Sequence, residues 1–396
     1  QAWFLPAWEY DPTIVSMKVM IDEIHEKFKT NHDIWKRLVI NQVPAISFYF
    51  LPIEQLGQTD SLYIKMNSRG KPLTDFEYIK AELEKILSRV DENLYNEFIQ
   101  KIDISWTNIF WQQRLADTPE IDSMFMCYFR FVTEILCFKN NIEIEINDID
   151  LAKKIYRDRE KVKFLFSSID CWENANCIDD FFCHSLSRLK HEPGKVVYPD
   201  ESTNLFQKCC LKYGRQHNGN REFTLSNILM LYAFLTYRLN QSTVTTRFTE
   251  RIRIIRNLVI NSQSEIRENS MAHLLNEIEE IVNNGQINPD SVGFSKTQKL
   301  HEIEKQKWRQ NWPNKITILN EIEDHELLMG DIRIIGLDEG EFFENKANAF
   351  MCLFPKTGES DYDKIKQAML CLGDYAKRNS WRFYFGGTIN STWREL

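Results

Sequence analysis

Asn67, Ser68, Arg69, Gly70 and Lys71 bring an amide, a hydroxyl and two cations together within five consecutive positions. They interrupt an apolar segment that opens at Leu62, and they precede Pro72 and an amphipathic stretch starting at Thr74. A loop feeding a helix N-terminus presents unpaired backbone N–H groups and the positive end of the helix dipole. An arginine and a lysine on such a loop make an anion site, most often one for phosphate. A plainer reading needs no ligand. In it Thr74 caps the next helix, Glu77 closes a capping box three residues on, and Gly70 and Pro72 turn the chain. That reading leaves Asn67, Arg69 and Lys71 unexplained, so both stay open at this point.

A second constellation is Arg247, Arg251, Arg253 and Arg256, which fall in one helical stretch with Ile252, Ile255 and Val259 set opposite them. These arginines read either as a solvated basic face paired with acids such as Glu250, or as a surface that contacts DNA phosphates. Asn257 and Asn261, four apart, are placed to cap or cross-link neighbouring helices. Trp106, Phe110 and Trp111 share a helical stripe and read as core. Cys171, Cys177, Cys183, His184 and His191 contain no Cys-x-x-Cys pair and match no common zinc spacing. No metal site is therefore assigned. His301 lies in a charged helix and reads as solvated. There is no Walker A string, G-x-S-x-G or H-E-x-x-H, so no catalytic residue is assigned.

The segments that would position these residues read mostly as helices. In "DPTIVSMKVMIDEIHEKF" Asp11 is the N-cap and Pro12 takes the first helical position, while Ile14, Met17, Ile21 and Ile24 recur at helical spacing. "AISFYFL", 45–51, is short, aromatic and bounded by Pro44 and Pro52, which predicts a strand. From about residue 91 onward helix follows helix. Residues 190–203 read as a loop, and 284–296, with Gly285, Pro289 and Gly293, as a subdomain boundary. Residues 327–343 read as an irregular element with two turn glycines, and the C-terminus as a helix end followed by loops. Trp3, Phe4 and Trp8 demand apolar partners from the outset. The upstream part is expected to have been removed by processing or trimming.

"LYIKMNSRGKPLTDFEYIKAELEKIL", 62–87, resembles a motif of the domain-of-unknown-function 262 family, F-x-x-(I/L/M)-N-(S/T/A)-R-G-x-x-L-(S/T)-x-x-(D/E)-x-x-K. The agreement is at Asn67, Arg69, Gly70, Leu73, Thr74 and Lys80. That family includes the GmrS half of GmrSD-type, modification-dependent restriction systems. "WEYDPTIVSMKVMIDEI", "RIIRNLVINS", "IRENSMAHLL" and "AMLCLGDYAKR" are also similar to segments of it. The resemblance implies a ParB/sulfiredoxin-like N-terminal domain that binds a nucleoside triphosphate with Mg2+, in a system that cleaves DNA. It gives Asn67 and Arg69 the phosphate oxygens, Gly70 the close approach of backbone, and Lys71 added charge. Lys80 would face the site one turn into the helix or anchor the missing segment. Leu73 and Glu77 stand six and ten residues after Asn67, as in ParB proteins, but Gly70 occupies the ParB arginine position and Arg69 comes one earlier. The family's upstream Asp-Gly-Gln-Gln-Arg string does not occur in these residues, so the chain is expected to be the family fold without its first part. His301 and His325 do not resemble the His-metal module of the nuclease half.

The 396 residues carry a net charge of −8, so the chain is no polycation and DNA binding would need a local basic surface. No apolar run approaches the roughly 20 residues that span a bilayer. Nine cysteines at irregular spacing, with Cys127 and Cys137 in an apolar run, fit buried thiols in a reducing cytoplasm. The expected fold class is mainly α. A remnant of an α/β, ParB/sulfiredoxin-like domain would occupy residues 1–90, a large helical domain 91–290 and a C-terminal helical segment 291–396. The expected function is a GmrS-like restriction or antiphage protein in which nucleotide binding or hydrolysis controls DNA cleavage. Its partners would be DNA and a nuclease or second copy of the chain, with no membrane. A helical adaptor or a DNA-binding module that keeps the Asn-x-Arg-Gly loop only as a turn is the alternative.

Overall fold

The computed structural model describes residues 6–30, 73–115, 121–143, 148–173, 178–188, 190–241 and 243–354, with Asp33, Lys36, Leu38 and Ile46. It is mainly helical. In chain order the α-helices are α1 (Pro12–Phe28), α2 (Asp75–Val90), α3 (Glu92–Lys101), α4 (Thr107–Gln112), α5 (Asp122–Asn140), α6 (Asp148–Ile155), α7 (Arg159–Asp170) and α8 (Ile178–Ser185). They continue with α9 (Leu205–Lys212), α10 (Leu225–Arg238), α11 (Thr246–Asn261), α12 (Met271–Asn284), α13 (Lys296–Asn311), α14 (Ile316–Glu323) and α15 (Gly340–Leu353). Two-residue strands β1 (Leu186–Ser187) and β2 (Val196–Val197) pair in parallel, and β3 (Gln216–His217) and β4 (Asn220–Arg221) antiparallel. No described helix is long and apolar enough to cross a membrane. The 45–51 strand apart from Ile46, which is an exposed bend, lies outside the described residues, as do the Asn67–Pro72 loop, Trp3, Phe4 and the segment after 354.

The chain divides into two compact units, Gln1–Met126 with Asp148–Arg159, and Cys127–Asn147 with Glu160–Leu396. These differ from the division at 90 and 290 read from sequence. α2 and α3 bury Leu83, Leu87, Leu94 and Phe98 within the same unit, so no boundary falls at 90. The segment after α12 is likewise interior to the second unit, with Phe294 buried and the Phe294 N–H bonded to Glu277 Oε2 at 3.0 Å.

In the first unit Asp11 caps α1 by accepting from Thr13 N–H at 2.8 Å, and Pro12 opens the helix as the sequence indicates. No residue of α1 is buried, and Val15, Met17, Met20, Ile21 and Ile24 are exposed. The core of this unit is aromatic. Phe125 packs on Phe76, Phe110 and Trp106 at 4.6, 5.3 and 6.4 Å between ring centroids. The stripe of Trp106, Phe110 and Trp111 is buried, as its spacing requires. A π-helical turn at Ile102–Trp106 joins α3 to α4.

The second unit is built around α10, which is buried from Asn227 to Arg238 and is apolar on nearly every side. A helix of that pattern belongs in the middle of a core. Cys127 and Cys137 of α5 are buried as expected. A separate cluster gathers Trp308, Leu319, Ile322, Phe343 and Phe350. Within the predicted 190–203 loop, Val196 and Val197 turn out to be the buried strand β2. Two residues are too few for an alternating pattern to register. Residues 327–339 are irregular, and Gly330 and Gly336 take left-handed φ values of 93° and 74°.

Candidate functional site

Asn67, Arg69, Gly70 and Lys71 fall outside the described residues; the helix they lead into does not. Thr74 is extended at φ −68°, ψ 160° and forms a complete capping box. Glu77 N–H donates to Thr74 Oγ1 at 3.2 Å, and Thr74 N–H donates to Glu77 Oε2 at 2.8 Å. The Thr74 hydroxyl donates in turn to Asp122 Oδ2 at 2.6 Å. Thr74→Ala is expected to lower stability by about 0.5–2 kcal/mol, read as a shift in urea midpoint. Asp75 and Glu77 give this first turn negative charge. A phosphate in front of it would depend on the cations of the loop itself. Lys80 Nζ is held by both oxygens of Asp103, at 2.6 and 2.7 Å, which ties α2 to the π-helical turn. Asp103 belongs to this chain, so the contact shows neither role expected for Lys80, facing the site or anchoring the missing segment.

The four arginines of α11 do not form one face. At about 100° per residue, Arg247 and Arg251 project together while Arg253 and Arg256 point well away from them. Arg253 is 4% exposed and Arg256 0%. The expected DNA contact is therefore corrected for these two, because burial removes them from any nucleic-acid surface. Both converge on Asp324. Its Oδ1 accepts from Arg253 Nη1 and Arg256 Nη2, each at 2.6 Å, and its Oδ2 from Arg253 Nη2 at 3.1 Å. His191 Nδ1 stands 2.7 Å from Oδ2. Burial alone would raise the Asp324 carboxyl, but the His191 contact and the two guanidiniums outweigh it and hold it below its ordinary value.

A second carboxylate, Glu323, accepts from Arg309 Nη2 at 2.6 Å and from Asn257 Nδ2 at 3.0 Å, and pairs with Lys305 Nζ at 2.7 Å. Burial works against its charge, yet Arg309, Lys305 and Arg253 push it well below the usual carboxylate range. Lys305 also donates to Gly330 O at 2.8 Å and pairs with Glu302. For Glu302 burial prevails over Lys305 and its carboxyl is raised. His301, read from sequence as solvated, is only 4% exposed. Burial, then the Lys305 charge, push it down to about 3, so it is neutral near pH 7. Arg256 Nε, Asn257 Oδ1, His301 Nε2 and Glu302 Oε2 are buried without a hydrogen-bond partner among the described residues. Gly330 lies so close to Asn257 that a Cβ there would stand 2.3 Å from Asn257 Oδ1. Asn261 Nδ2 donates to Met329 O at 2.8 Å, so both asparagines cross-link α11 to the 323–329 segment as their spacing suggested.

Sequence reasoning singled out neither Glu302, Lys305, Arg309, Glu323 nor Asp324. A usable signal exists in "ILNEIEDHELLMG", where acids sit inside an otherwise apolar run. Buried acids of that kind need cations, and α11 carries them.

Arg247 and Arg251 border a cleft of about 480 Å3 shared with Tyr237, Gln241, Thr245, Phe248 and Asn283. Arg251 Nη1 donates to the carbonyls of Val282 and Asn283 at the end of α12. Arg247 is exposed and has no hydrogen-bond or ion-pair partner among the described residues. Among the described residues no group of three or more His, Cys, Asp or Glu is placed to hold a metal ion. No protein-family model, curated protein or solved structure matches this chain.

Proposed function

We propose that this chain acts as a GmrS-like defence protein. A nucleoside triphosphate held at Asn67–Lys71 would control cleavage of DNA by a nuclease partner or by a second copy of the chain. The observation that carries this reading is the six-position motif Asn67, Arg69, Gly70, Leu73, Thr74 and Lys80, read together with a helix that starts at Thr74. Arg69 and Asn67 hold phosphate oxygens, Gly70 lets the backbone approach, and Lys71 adds charge. Mg2+ accompanies the triphosphate and offsets part of its charge. On this reading the α/β, ParB-like character belongs to the region around the loop.

One observation favours a second reading, a helical adaptor in which the loop is a structural turn. The capping box and the Lys80–Asp103 pair account for Thr74, Glu77 and Lys80 with no ligand. Titration of a labelled nucleoside triphosphate separates the two. Arg69→Ala should weaken binding about ten- to a hundredfold, the loss of one charge-assisted hydrogen bond. Lys71→Ala should cost much less, since a mobile, solvated cation is screened, with Asn67→Ala between them. Circular dichroism confirms folding of each variant. If Arg69→Ala binds like the parent chain, the adaptor reading takes over.

A further inference from the structure

We infer that the cleft bordered by Arg247 and Arg251 is a second anion site, built for a phosphate group. It shares no residue with the Asn67–Lys71 loop and does not depend on it. The two guanidiniums sit four residues apart on α11, so their charges add on one side of the helix. Like charges so placed repel each other, and Arg247 lowers the pKa of Arg251, after burial, the larger cause. Proteins normally relieve such crowding with a carboxylate. Here, among the described residues, no Asp or Glu lines the cleft, and Glu250 acts on Arg251 through its field.

Arg251 is fixed rather than loose. Its Nη1 spans the Val282 and Asn283 carbonyls, and left-handed Gly285 (φ 72°) lies beneath it, where a Cβ would stand 3.4 Å from Nε. Nε and Nη2 make no hydrogen bond among the described residues and lie close to Gly285. Arg247, which has no partner among the described residues, supplies the second cation, and Gln241 and Asn283 also line the cleft. A pinned guanidinium beside a second one that has no partner among the described residues suits a tetrahedral dianion or a phosphodiester, which presents several oxygens to two cations. The phosphate can belong to a small phosphorylated compound or to a DNA backbone, and the chemistry of the cleft is the same for both.

The test uses the full chain carrying Arg69→Ala, which removes the loop's guanidinium, with and without Arg247→Glu. Calorimetric titrations use pyrophosphate and, separately, a short DNA duplex at several salt concentrations. The Arg69→Ala chain should bind at least one of them. Adding Arg247→Glu should weaken that binding by about ten- to a hundredfold. The fold is expected to survive, because Arg247 is exposed and bonds nothing in the described structure. A loss on the duplex, with the slope of log affinity against log salt reduced by about one, assigns a DNA phosphate. A loss on pyrophosphate alone assigns a free phosphate compound. If the Arg69→Ala chain binds neither probe, or Arg247→Glu changes neither, the cleft is no phosphate site. Neither result bears on the loop, whose own test is the triphosphate titration of Arg69→Ala.

Discussion

Asp324→Ala is expected to destabilise the second unit by about 3–5 kcal/mol, the size observed when one partner of a buried ion pair is removed. The loss is large because Asp324 serves two cations at once. Its side chain is fully buried, and Arg253 and Arg256, both buried, meet on it. After truncation Arg253 keeps the carbonyls of Lys195 and Asn320 and a longer ion pair with Glu323 at 3.8 Å, while Arg256 keeps the carbonyl of Glu323. Carbonyl dipoles cannot replace a full negative charge in a medium that screens poorly. Against a total stability of about 5–15 kcal/mol, such a change threatens folding itself. Asp324→Asn keeps the shape and removes only the charge, so it isolates the electrostatic part.

The pH dependence gives a sharper check. The folded pKa of Asp324 lies below its ordinary value, so its stabilisation is present above the unfolded pKa of about 3.9. It is lost as pH falls through the lower folded pKa. The advantage of the parent chain over Asp324→Asn should therefore be full near neutral pH and shrink below about pH 4. Urea unfolding at a series of pH values, followed by fluorescence, reads this directly. A difference below about 1 kcal/mol near pH 7 would mean that Asp324 does not hold these arginines at a net gain.

What could be read from the residues beforehand was what depends on near neighbours. Asp11 with Pro12, and Thr74 with Glu77, mark helix starts because a cap and its partner lie within one turn. Trp106, Phe110 and Trp111 mark a core stripe because one helix face carries them. The fate of Arg253 and Arg256 was illegible for the opposite reason. Their partner lies 71 and 68 residues away, and nothing in the α11 sequence distinguishes an arginine facing water from one facing Asp324.

α13 shows the same limit from the other side. Its sequence is strongly polar, yet Gln298, Lys299, His301, Glu302 and Lys305 are buried. Its inward face packs against charged groups, so a search for apolar periodicity assigns that face to solvent and His301 with it. The Asn67–Lys71 loop lies outside the described residues, so its reading as a phosphate site rests on residue types alone: an amide, a guanidinium and a glycine at close spacing. The cleft at Arg247 and Arg251 was half legible. The basic residues could be seen, but the split between inward and outward pairs required the geometry of α11 and what packs on it.

Lys305→Met is expected to cost about 3–5 kcal/mol near neutral pH, and the penalty should fall as the solution is acidified. Lys305 is fully buried between two carboxylates, Glu302 and Glu323, and its ammonium also bonds Gly330 O. Methionine fills similar volume and supplies no charge. The signs of three titrations then agree. Glu302 already has a raised folded pKa, and losing Lys305 raises it further. A group raised in the folded state contributes stability below its unfolded pKa of about 4.3 and loses it as pH rises. Glu323, held low partly by Lys305, loses some of the stabilisation it supplies above about pH 4.3. His301 is held at about 3 by burial and then by the Lys305 charge. Relieving that charge lets its folded pKa climb back toward its unfolded value of about 6.5, which spares the variant part of the parent's loss between those values. Each effect makes the variant relatively worse at neutral pH and relatively better in acid. Urea midpoints compared near pH 7 and near pH 4 measure the difference, and a penalty that does not change with pH would exclude Lys305 as the charge that sets these three groups. A companion substitution supplies the control. Glu302→Leu, added to Lys305→Met, removes the carboxylate left most exposed to that loss, and an apolar pair can replace a buried ion pair at little net cost. The double variant should recover part of the stability. It should not recover all of it, because Glu323 and Gly330 O still lack the ammonium.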